Sequence, residues 1–344
     1  MNYPERIASV TELESLLSVP TEGLIEMMKR IDGDIMILGI AGKMGVTMGR
    51  QAVNAIRAAG VSKKVIGVSR FSKKEEREKL EGWGIETIAC DLLDQDAVKS
   101  LPQVKNIVFM AGRKFGTEGS EAQTWAMNIL APSYIGAHFR GSRIVAFSTG
   151  CVYPLVGITS CGCTEEVTPE PVGEYSQSCL GRERIFQYCS QKYGTKVLLF
   201  RLNYAIDLRY GVLHDIARNI WEGKPVDNTV GYFNVIWQGD ANSNALRSFE
   251  LCDSPAAVLN VTGPETASVE KTALQLGALM GKEVVFKGVP GNLCYLNNSA
   301  QMCRRFGYPN VSLEQMIRWQ ADWIRNGGIS IGKPTHFEVN NGKF

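Results

Sequence analysis

The stretch DIMILGIAGKMG, residues 34–45, decides the fold of this chain. Its apolar run from Ile35 to Leu38 is typical of a strand that is buried on both faces of a parallel sheet. Three glycines follow this run at regular spacing: Gly39, Gly42 and Gly45. The next segment, VTMGRQAVNAIRAAG at 46–60, predicts a helix. The stretch therefore predicts a buried strand, a tight turn and a helix in direct succession.

The glycine turn, residues 39–45, also has the chemistry of an anion site. One glycine allows the tight turn, a second lets the backbone approach a diphosphate, and a third lets the helix pack closely on the strand. The first N–H groups of the helix and its dipole favour negative charge. The residues of the turn predicted to bind the ligand are Gly39, Gly42, Lys43, Met44 and Gly45, and Lys43 adds positive charge to the site. The alternative is a turn without a ligand, because the G-x-x-G-x-x-G spacing alone is a moderate signal.

Composition narrows the class of protein. A chain of 344 residues suits one large α/β domain or two closely packed ones. The net charge of +2 gives no sign of a nucleic-acid or membrane partner. Residues 1–12 lack the apolar segment of a signal peptide and no run of about 18 apolar residues follows, so we expect a cytoplasmic protein. The nine cysteines are scattered and the three histidines lie far from them, so we expect neither a disulfide framework nor a metal site.

Strand-like and helix-like segments alternate from residue 34 onward. The predicted strands are 34–39, 64–69, 85–90, 105–110, 143–148, 196–202 and 258–262. The predicted helices are 45–59, 73–81, 95–100, 121–138, 174–192, 211–222, 240–252, 268–280 and 312–325. This order is typical of an α/β fold, a doubly wound parallel sheet with helices on both faces.

The same pattern suggests the organisation of the chain. Residues 1–30 precede the first strand and predict a helical extension, with a capping box at Thr11 and Glu14 and a second N-cap at Thr21. The sheet domain is predicted to comprise residues 31–203 and about 229–262. The remaining segments, 204–228 and 263–344, are predicted to form a small C-terminal lobe that binds substrate.

Two later segments carry a family resemblance. FSTGCVYP at 147–154 is similar to the pattern S-[ST]-x-x-V-Y-G, and PVGEYSQSCLGRE at 171–183 is similar to P-x-x-x-Y-x-x-[ST]-K-x-x-x-E. With the glycine turn, these motifs resemble the extended short-chain dehydrogenase/reductase family, the NAD-dependent epimerase/dehydratase group, over roughly 34–325. The resemblance implies a Rossmann-type sheet that binds NAD or NADP, and a carbohydrate substrate: a sugar, a sugar acid or a sugar nucleotide.

The end of the second predicted strand bears on the choice of cofactor. Ser69 and Arg70 stand where an acidic residue would bind the adenosine ribose hydroxyls of NAD. A small residue followed by arginine suits a 2′-phosphate, because the guanidinium binds phosphate in a planar fork. We therefore expect NADP in preference to NAD, although Ser69 still permits NAD and Arg70 could simply be solvated.

The resemblance implies further cofactor contacts. In the family, an aspartate after the third strand and the next backbone amide bind the adenine, which corresponds to Asp91 and Leu92 here. Small residues after the fourth strand let the backbone lie against the cofactor, which corresponds to Ala111 and Gly112. The segment AGRKFGTEG also implies a position near the cofactor for Lys114.

The catalytic residues follow from the same resemblance. Thr149 takes the place of the catalytic hydroxyl, Tyr175 that of the proton-transfer residue, and Asn128 that of the helix asparagine. The family lysine four residues after the tyrosine is replaced by Cys179. A tyrosine titrates near ~10, so without a cation a general base is short by roughly 4 kcal/mol at neutral pH.

Three interpretations of this departure remain open. Another cation acts at the site: Arg182, seven residues after Tyr175 on the same helix face, or Lys114, or the oxidised cofactor itself. Alternatively, Tyr175 acts as an acid on the alkoxide of a reduced carbonyl. The third possibility is an inactive nucleotide sensor or scaffold.

The resemblance also predicts how substrate and partner subunit bind. It implies substrate contacts by Arg201 and Asn203 in FRLNY and by the loop 154–173. It further implies a homodimer whose interface consists of the helices at 121–138 and 174–192.

Overall fold

The computed structural model describes residues 3–113, 119–339 and 342. A seven-stranded parallel sheet forms its centre, with strand order β7-β6-β5-β4-β1-β2-β3. Its strands are β1 Ile35–Leu38, β2 Val65–Ser69, β3 Glu86–Ala89, β4 Asn106–Phe109, β5 Arg143–Thr149, β6 Lys196–Leu202 and β7 Ala257–Val261. The predicted doubly wound sheet is confirmed, and each predicted strand matches one of the seven to within about two residues.

Strand β1 is buried on both faces, as the apolar run predicted. Ile35 and Ile37 pack into the core on one face, and Met36 and Leu38 pack into the core on the other. All four side chains have no exposed surface. This two-residue alternation is what a parallel strand covered by helices on both sides requires.

The helices connect these strands over both faces. They are α1 Val10–Leu17, α2 Glu22–Arg30, α3 Gly45–Ala59, α4 Lys74–Gly82, α5 Gln95–Lys99, α6 Glu121–Trp125, α7 Ala131–His138, α8 Gly173–Tyr193, α9 Val212–Trp221, α10 Gln238–Arg247, α11 Val269–Met280, α12 Ala300–Phe306 and α13 Leu313–Arg325. A π-helical turn, Ala126–Leu130, joins α6 to α7 where a single helix was predicted. Short 3₁₀ turns occur at Gly150–Val152, Ile158–Ser160 and Ser248–Leu251.

The two N-terminal helices are part of the core. The side chains of Leu13 and Leu17 on α1 are fully buried in the cluster of the C-terminal lobe. Helix α2 packs against α3 and α10. Thr21 caps α2 as predicted, by accepting a hydrogen bond from the Leu24 amide at 3.3 Å. The predicted cap of α1 was wrong, because Ser9 rather than Thr11 occupies that position.

The C-terminal lobe combines α9, α11 and α13 with four pairs of very short strands. The pairs are Tyr232–Phe233 with Ala267–Ser268, Ile236–Trp237 with Ala205–Ile206, Phe286–Lys287 with Val226–Asp227, and Leu293–Cys294 with Val156–Gly157. The core of the lobe is built around the buried ring of Trp319. Among the described residues, no helix is long and apolar enough to cross a membrane.

The strand order reverses between β1 and β4. Leu38 pairs with Val68 of β2 on one side and with Phe109 of β4 on the other. The connections that leave β1 and β4 run to opposite sides, which opens a crevice at the carboxyl ends of these strands. Ligands of open α/β sheets bind at such a switch point.

Candidate active site

The glycine turn lies at this switch point and has no room for side chains. A Cβ atom on Gly39, whose φ is +93°, would lie 2.8 Å from the Ala111 amide nitrogen. One on Gly45 would lie 2.4 Å from the carbonyl oxygen of Ile40. Helix α3 begins at Gly45, and its N-cap, Met44, makes no side-chain capping hydrogen bond. The turn therefore offers an open backbone cradle at a helix N-terminus, which suits a diphosphate.

Lys43 lies in the same turn but points toward the C-terminal lobe. Its Nζ donates to the carbonyl oxygen of Ala205 at 3.0 Å and lies 4.3 Å from the ring centroid of Tyr210. Burial raises the pKa of the Asp207 carboxyl, but the Arg209 guanidinium and the Lys43 ammonium together hold it below its usual value. In this arrangement Lys43 connects the turn to the lobe.

The residues predicted at the adenosine end lie at the carboxyl edge of β2 and β3. Ser69 ends β2 and is half-buried, and the side chain of Arg70 is exposed. Asp91 is exposed, and its Oδ1 accepts a hydrogen bond from the Leu93 amide at 3.0 Å. Leu92 is buried. Arg70 is thus available to an anion at this edge, whereas the Asp91 carboxylate already accepts a hydrogen bond within its own turn.

Ala111 and Gly112, which were predicted to lie against the cofactor, follow β4, and Ala111 borders the glycine turn at Gly39. Gly112 borders a guanidinium group, because a Cβ atom there would lie 2.5 Å from Nη2 of Arg182. Small residues at this edge leave the backbone accessible from the crevice. Lys114, also predicted to lie near the cofactor, falls outside the described residues.

Tyr175 lies in the first turn of α8 and packs against the 3₁₀ turn that directly follows Thr149. Thr149 ends β5 with 8% of its surface exposed, and its Oγ1 accepts a hydrogen bond from the Cys151 amide at 3.2 Å. The Tyr175 ring contacts the cluster that contains Val152 and Cys179. The predicted hydroxyl and the predicted phenol therefore belong to neighbouring elements at the same edge of the sheet.

Cys179 takes the position one helical turn after Tyr175 and forms a hydrogen bond with it. Burial raises the pKa of Tyr175 well above its usual value of 10.0, and the thiols of Cys179 and Cys151 raise it further, while Arg182 lowers it. Burial also raises the pKa of the Cys179 thiol. Both groups are therefore uncharged at neutral pH.

Asn128 lies in the π-helical turn and is fully buried. Its Oδ1 accepts hydrogen bonds from the Arg113 amide at 3.2 Å and from Nη2 of Arg182. Its Nδ2 donates to Oγ of Ser178 at 2.8 Å, and that hydroxyl donates to the carbonyl oxygen of Tyr175 at 2.8 Å. π-Helical turns recur at functional sites, and this one brings Asn128 between the end of β4 and the first turn of α8.

The two predicted substrate residues are buried and engaged. The guanidinium of Arg201, 3% exposed, donates to both carboxylate oxygens of Glu183 and to the hydroxyl of Tyr153. The Asn203 amide donates to Asn234 Oδ1 at 2.7 Å and to the carbonyl oxygen of Tyr295 at 3.1 Å. We therefore correct the interpretation of Arg201: the strand position turns it into the core, and a structural role replaces the predicted substrate contact.

A cavity of about 520 Å³ lies next to Asn234, the hydrogen-bond partner of Asn203. The loop predicted to contact substrate contributes Ile158 and Cys161 to its lining. Polar side chains supply much of the rest: Asn234, Asn297, Asn298, Ser299 and Arg304. The buried amide of Asn297, whose Nδ2 and Oδ1 have no hydrogen-bond partner among the described residues, also borders Gly150 next to Thr149.

Sequence reasoning missed a group of tyrosines near Cys151. The Cys151 thiol raises the pKa of Tyr204, Tyr210 and Tyr295, in each case as a smaller cause than burial. Tyr204 has a φ of +44°, which is unusual for a residue with a Cβ. Tyr204 and Tyr210 belong to the segment between β6 and α9, whereas Tyr295 comes from a segment much later in the chain, so no local spacing in the sequence groups all three. Among the described residues, no cluster of three potential metal ligands occurs.

Comparison with known proteins identifies the group to which this arrangement belongs. Residues 35–229 match the model of the NAD dependent epimerase/dehydratase family. The chain belongs to this family. No curated protein matches the chain. The matched part of this epimerase/dehydratase homologue includes the glycine turn, Thr149, Tyr175 and Cys179.

Solved structures share the fold across nearly their whole length. The dTDP-glucose 4,6-dehydratase DesIV of Streptomyces venezuelae, solved with NAD, matches with a TM-score of 0.72 and 18% identity over 86% of this chain and 97% of its own. The UDP-glucose 4-epimerase of Thermus thermophilus, also solved with NAD, matches with a TM-score of 0.69 and 18% identity over 86% of this chain and 99% of its own. The Bordetella bronchiseptica enzyme WbmG matches with a TM-score of 0.69 and 17% identity over 89% of this chain and 98% of its own. At these identities, the likeness shows the fold.

Proposed function

We propose that this family member is an NAD(P)-dependent oxidoreductase, epimerase or dehydratase that acts on a sugar, a sugar acid or a sugar nucleotide. The observation that carries the proposal is the position of Tyr175. It packs against the turn that follows Thr149, at the same sheet edge as the glycine cradle. A proton-transfer residue, a hydroxyl donor and a diphosphate site in this order suit hydride transfer to or from a nicotinamide ring.

The glycine turn has the chemistry to bind the diphosphate of a nicotinamide dinucleotide. Gly39 and Gly45 leave space that a Cβ atom would fill, and the N-terminus of α3 would bind the diphosphate. Arg70, exposed at the edge of β2, supports a preference for NADP over NAD, since it can bind a 2′-phosphate. When bound, the dinucleotide supplies the carbon atom that gives or accepts hydride.

The side chains supply the proton chemistry. The Thr149 hydroxyl donates a hydrogen bond to the reacting oxygen of the substrate, and Tyr175 exchanges a proton with the same oxygen. Because burial raises the pKa of Tyr175, the phenol is protonated at neutral pH and suits donation to an alkoxide as a carbonyl is reduced. If the nucleotide is recycled, the net reaction is epimerisation or dehydration; if it exchanges, the net reaction is reduction or oxidation.

The polar cavity supports a carbohydrate substrate. The side-chain amide of Asn297, whose Nδ2 and Oδ1 have no hydrogen-bond partner among the described residues, offers a donor and an acceptor to hydroxyl groups, and Arg304 offers a cation to a carboxylate or phosphate. Asn203 donates to Asn234 Oδ1, and Asn234 Nδ2 in turn donates to the carbonyl oxygen of Asn297, each at 2.7 Å. We propose that Asn203 therefore acts on substrate through Asn234 and Asn297.

A nucleotide sensor or scaffold without turnover is the second candidate. The observation that favours it is Cys179, a buried thiol where the family has a cation. Without a lysine at this position, burial makes the phenolate of Tyr175 costly to form.

Substitution of Tyr175 separates the two candidates. An enzyme loses turnover by about a hundredfold or more in Tyr175→Phe while the variant still binds nucleotide. The control is Tyr188→Phe, an exposed tyrosine on the same helix. Turnover on a panel of sugars, sugar acids and sugar nucleotides is read in two ways: nicotinamide absorbance detects a reaction that exchanges the nucleotide, and NMR of the sugar product detects one that recycles it. A protein that binds NADPH or NADH but turns over no member of the panel, before or after substitution, supports the sensor.

We also propose that the protein is a cytoplasmic homodimer. The outer face of α6, the π-helical turn and α8 exposes three large side chains, namely Trp125, Leu130 and Tyr188. These helices are the ones through which the family resemblance implies dimerisation. Light scattering after size-exclusion chromatography tests the proposal: the wild type elutes as a dimer and Leu130→Glu as a monomer. The control is Leu274→Glu, an equally exposed leucine on α11; a monomeric wild type refutes the dimer.

A further inference from the structure

We propose that Arg182 is the fixed cation of this site: a positioning residue that performs, from about one turn farther along the same helix, the electrostatic task that a lysine at position 179 would perform. The inference rests on the proposed function, because it assigns a role in proton transfer by Tyr175. Arg182 itself need not touch the substrate.

The guanidinium of Arg182 is anchored beneath the carboxyl edge of the sheet. Only 6% of the residue is exposed. Its Nη1 donates to the carbonyl oxygen of Phe147 at 2.8 Å, and its Nη2 donates to Oδ1 of Asn128. The glycine at 112 leaves room for the group, since a Cβ atom there would lie 2.5 Å from Nη2. The cation is therefore fixed between the ends of β4 and β5, where the crevice opens.

The charge of Arg182 is not neutralised by an acid. In the described part of the chain, no carboxylate forms an ion pair with it, and its Nε has no hydrogen-bond partner. The adjacent Glu183 is paired instead with Arg201, at 2.6 Å between Nη2 and Oε2. A buried cation without a counter-ion is costly. Its persistence here is explained if a negative charge develops nearby during the reaction.

The helix geometry directs Arg182 toward Tyr175. Residues seven apart lie on the same face two turns away, and long side chains on a helix point back toward its N-terminus. The positive charge lowers the pKa of both Tyr175 and Cys179, against the larger effect of burial. A second link runs through Asn128 and Ser178 to the carbonyl oxygen of Tyr175.

Three thiols also lie around Tyr175. They are Cys179 on α8, Cys151 in the turn after β5 and Cys163 from the following loop, which packs in the same cluster. Among the described residues, Arg182 is the cation with the largest effect on the pKa of the phenol. Removal of its charge should therefore raise the pKa of the phenol.

The test replaces Tyr175 with a fluorinated tyrosine of lower phenol pKa and follows its titration by fluorine NMR, which needs no substrate. In Arg182→Met the titration moves to higher pH by about one unit, the low end for loss of an opposite charge. Arg182→Lys keeps most of the wild-type position. Adding Cys179→Lys to Arg182→Met moves the titration back. Arg184→Met is the matched control, because Arg184 is exposed two residues farther along α8.

An unchanged titration in Arg182→Met, together with a lower melting temperature, would assign Arg182 a structural role and overturn the inference. Arg182→Gln, which retains donors for the Phe147 carbonyl, replaces the methionine variant if that variant does not fold. The outcome is distinct from failure of the proposed function. Wild-type protein without turnover but with the shifted titration in Arg182→Met refutes the enzyme and leaves the electrostatic role intact.

Discussion

Glu183 and Arg201 form a fully buried ion pair that joins α8 to the central sheet. The guanidinium meets both carboxylate oxygens, with Nε to Oε1 at 2.9 Å and Nη2 to Oε2 at 2.6 Å. Ser148 donates to Oε1 at 2.5 Å and Tyr153 accepts from Nη1 at 2.7 Å, so every side-chain nitrogen and oxygen of the pair has a hydrogen-bond partner. Two separate sequence motifs therefore contribute to one structural contact, which fixes the helix that carries Tyr175.

Breaking this pair will destabilise the protein strongly. In Arg201→Met the Glu183 carboxylate stays buried without its partner, and we expect a loss of about 3–5 kcal/mol in the free energy of unfolding. Urea titration measures it. The control is Glu222→Gln, which breaks an exposed pair with Arg218 and should cost at most about 1 kcal/mol.

The double variant Arg201→Met/Glu183→Leu adds a sharper criterion. Because it removes both charges together, it should be more stable than Arg201→Met alone. If the double variant loses the sum of the two single losses, the pair does not act as a unit.

Arg70 will separate the two nicotinamide nucleotides. Its exposed guanidinium at the end of β2 can bind a 2′-phosphate, which NADPH has and NADH lacks. In Arg70→Ala we expect calorimetric titration to give an affinity for NADPH about tenfold lower, the equivalent of roughly 1.4 kcal/mol, with the affinity for NADH unchanged. Lys74→Ala is the control, since Lys74 already pairs with Glu78. Equal losses for both nucleotides would contradict a 2′-phosphate site.

Gly45 will tolerate no side chain. A Cβ atom there would lie 2.4 Å from the Ile40 carbonyl oxygen, a backbone atom that cannot move without opening the glycine turn. Gly45→Ala should therefore lose about 1–3 kcal/mol of stability and bind nucleotide weakly. Gly82→Ala is the control, because no atom lies within 4 Å of a Cβ atom at that position. Thermal melts and nucleotide titration of both variants give the answer, and normal binding by Gly45→Ala would exclude the turn as the diphosphate cradle.

The sequence predicted the sheet because its signals are local. The buried run before Gly39 and the alternation of strands and helices require no knowledge of distant contacts. The N-cap of α1 is a feature that local sequence signals do not determine. Ser9 with Glu12 and Thr11 with Glu14 are overlapping candidates for the same motif, and Glu14 is instead drawn to Lys79 and Arg209 by the tertiary fold.

The site could be predicted only in part. Thr149 and Tyr175 belong to motifs with fixed spacing, and the structure brings their elements together. The motif predicted a substrate contact for Arg201. Side chains alternate between the two faces of β6, however, and this alternation turns Arg201 into the core. The position of Arg182 beside Asn128 depends on the π-helical turn, which no residue type in the sequence announces.

Acid will destabilise the fold through His214. This residue is 2% exposed, its Nδ1 lies 2.8 Å from the Leu208 carbonyl oxygen, and burial lowers its pKa from 6.5. Since the unfolded chain binds the proton first, stability falls as the pH drops below about 6.5, by at most roughly 1.4 kcal/mol per pH unit. Chemical denaturation at about pH 7.5 and about pH 5.5 measures this dependence. His214→Gln should flatten it while His138→Gln, a half-buried histidine on α7, serves as the control. An equally steep loss in His214→Gln would assign it to the carboxylates.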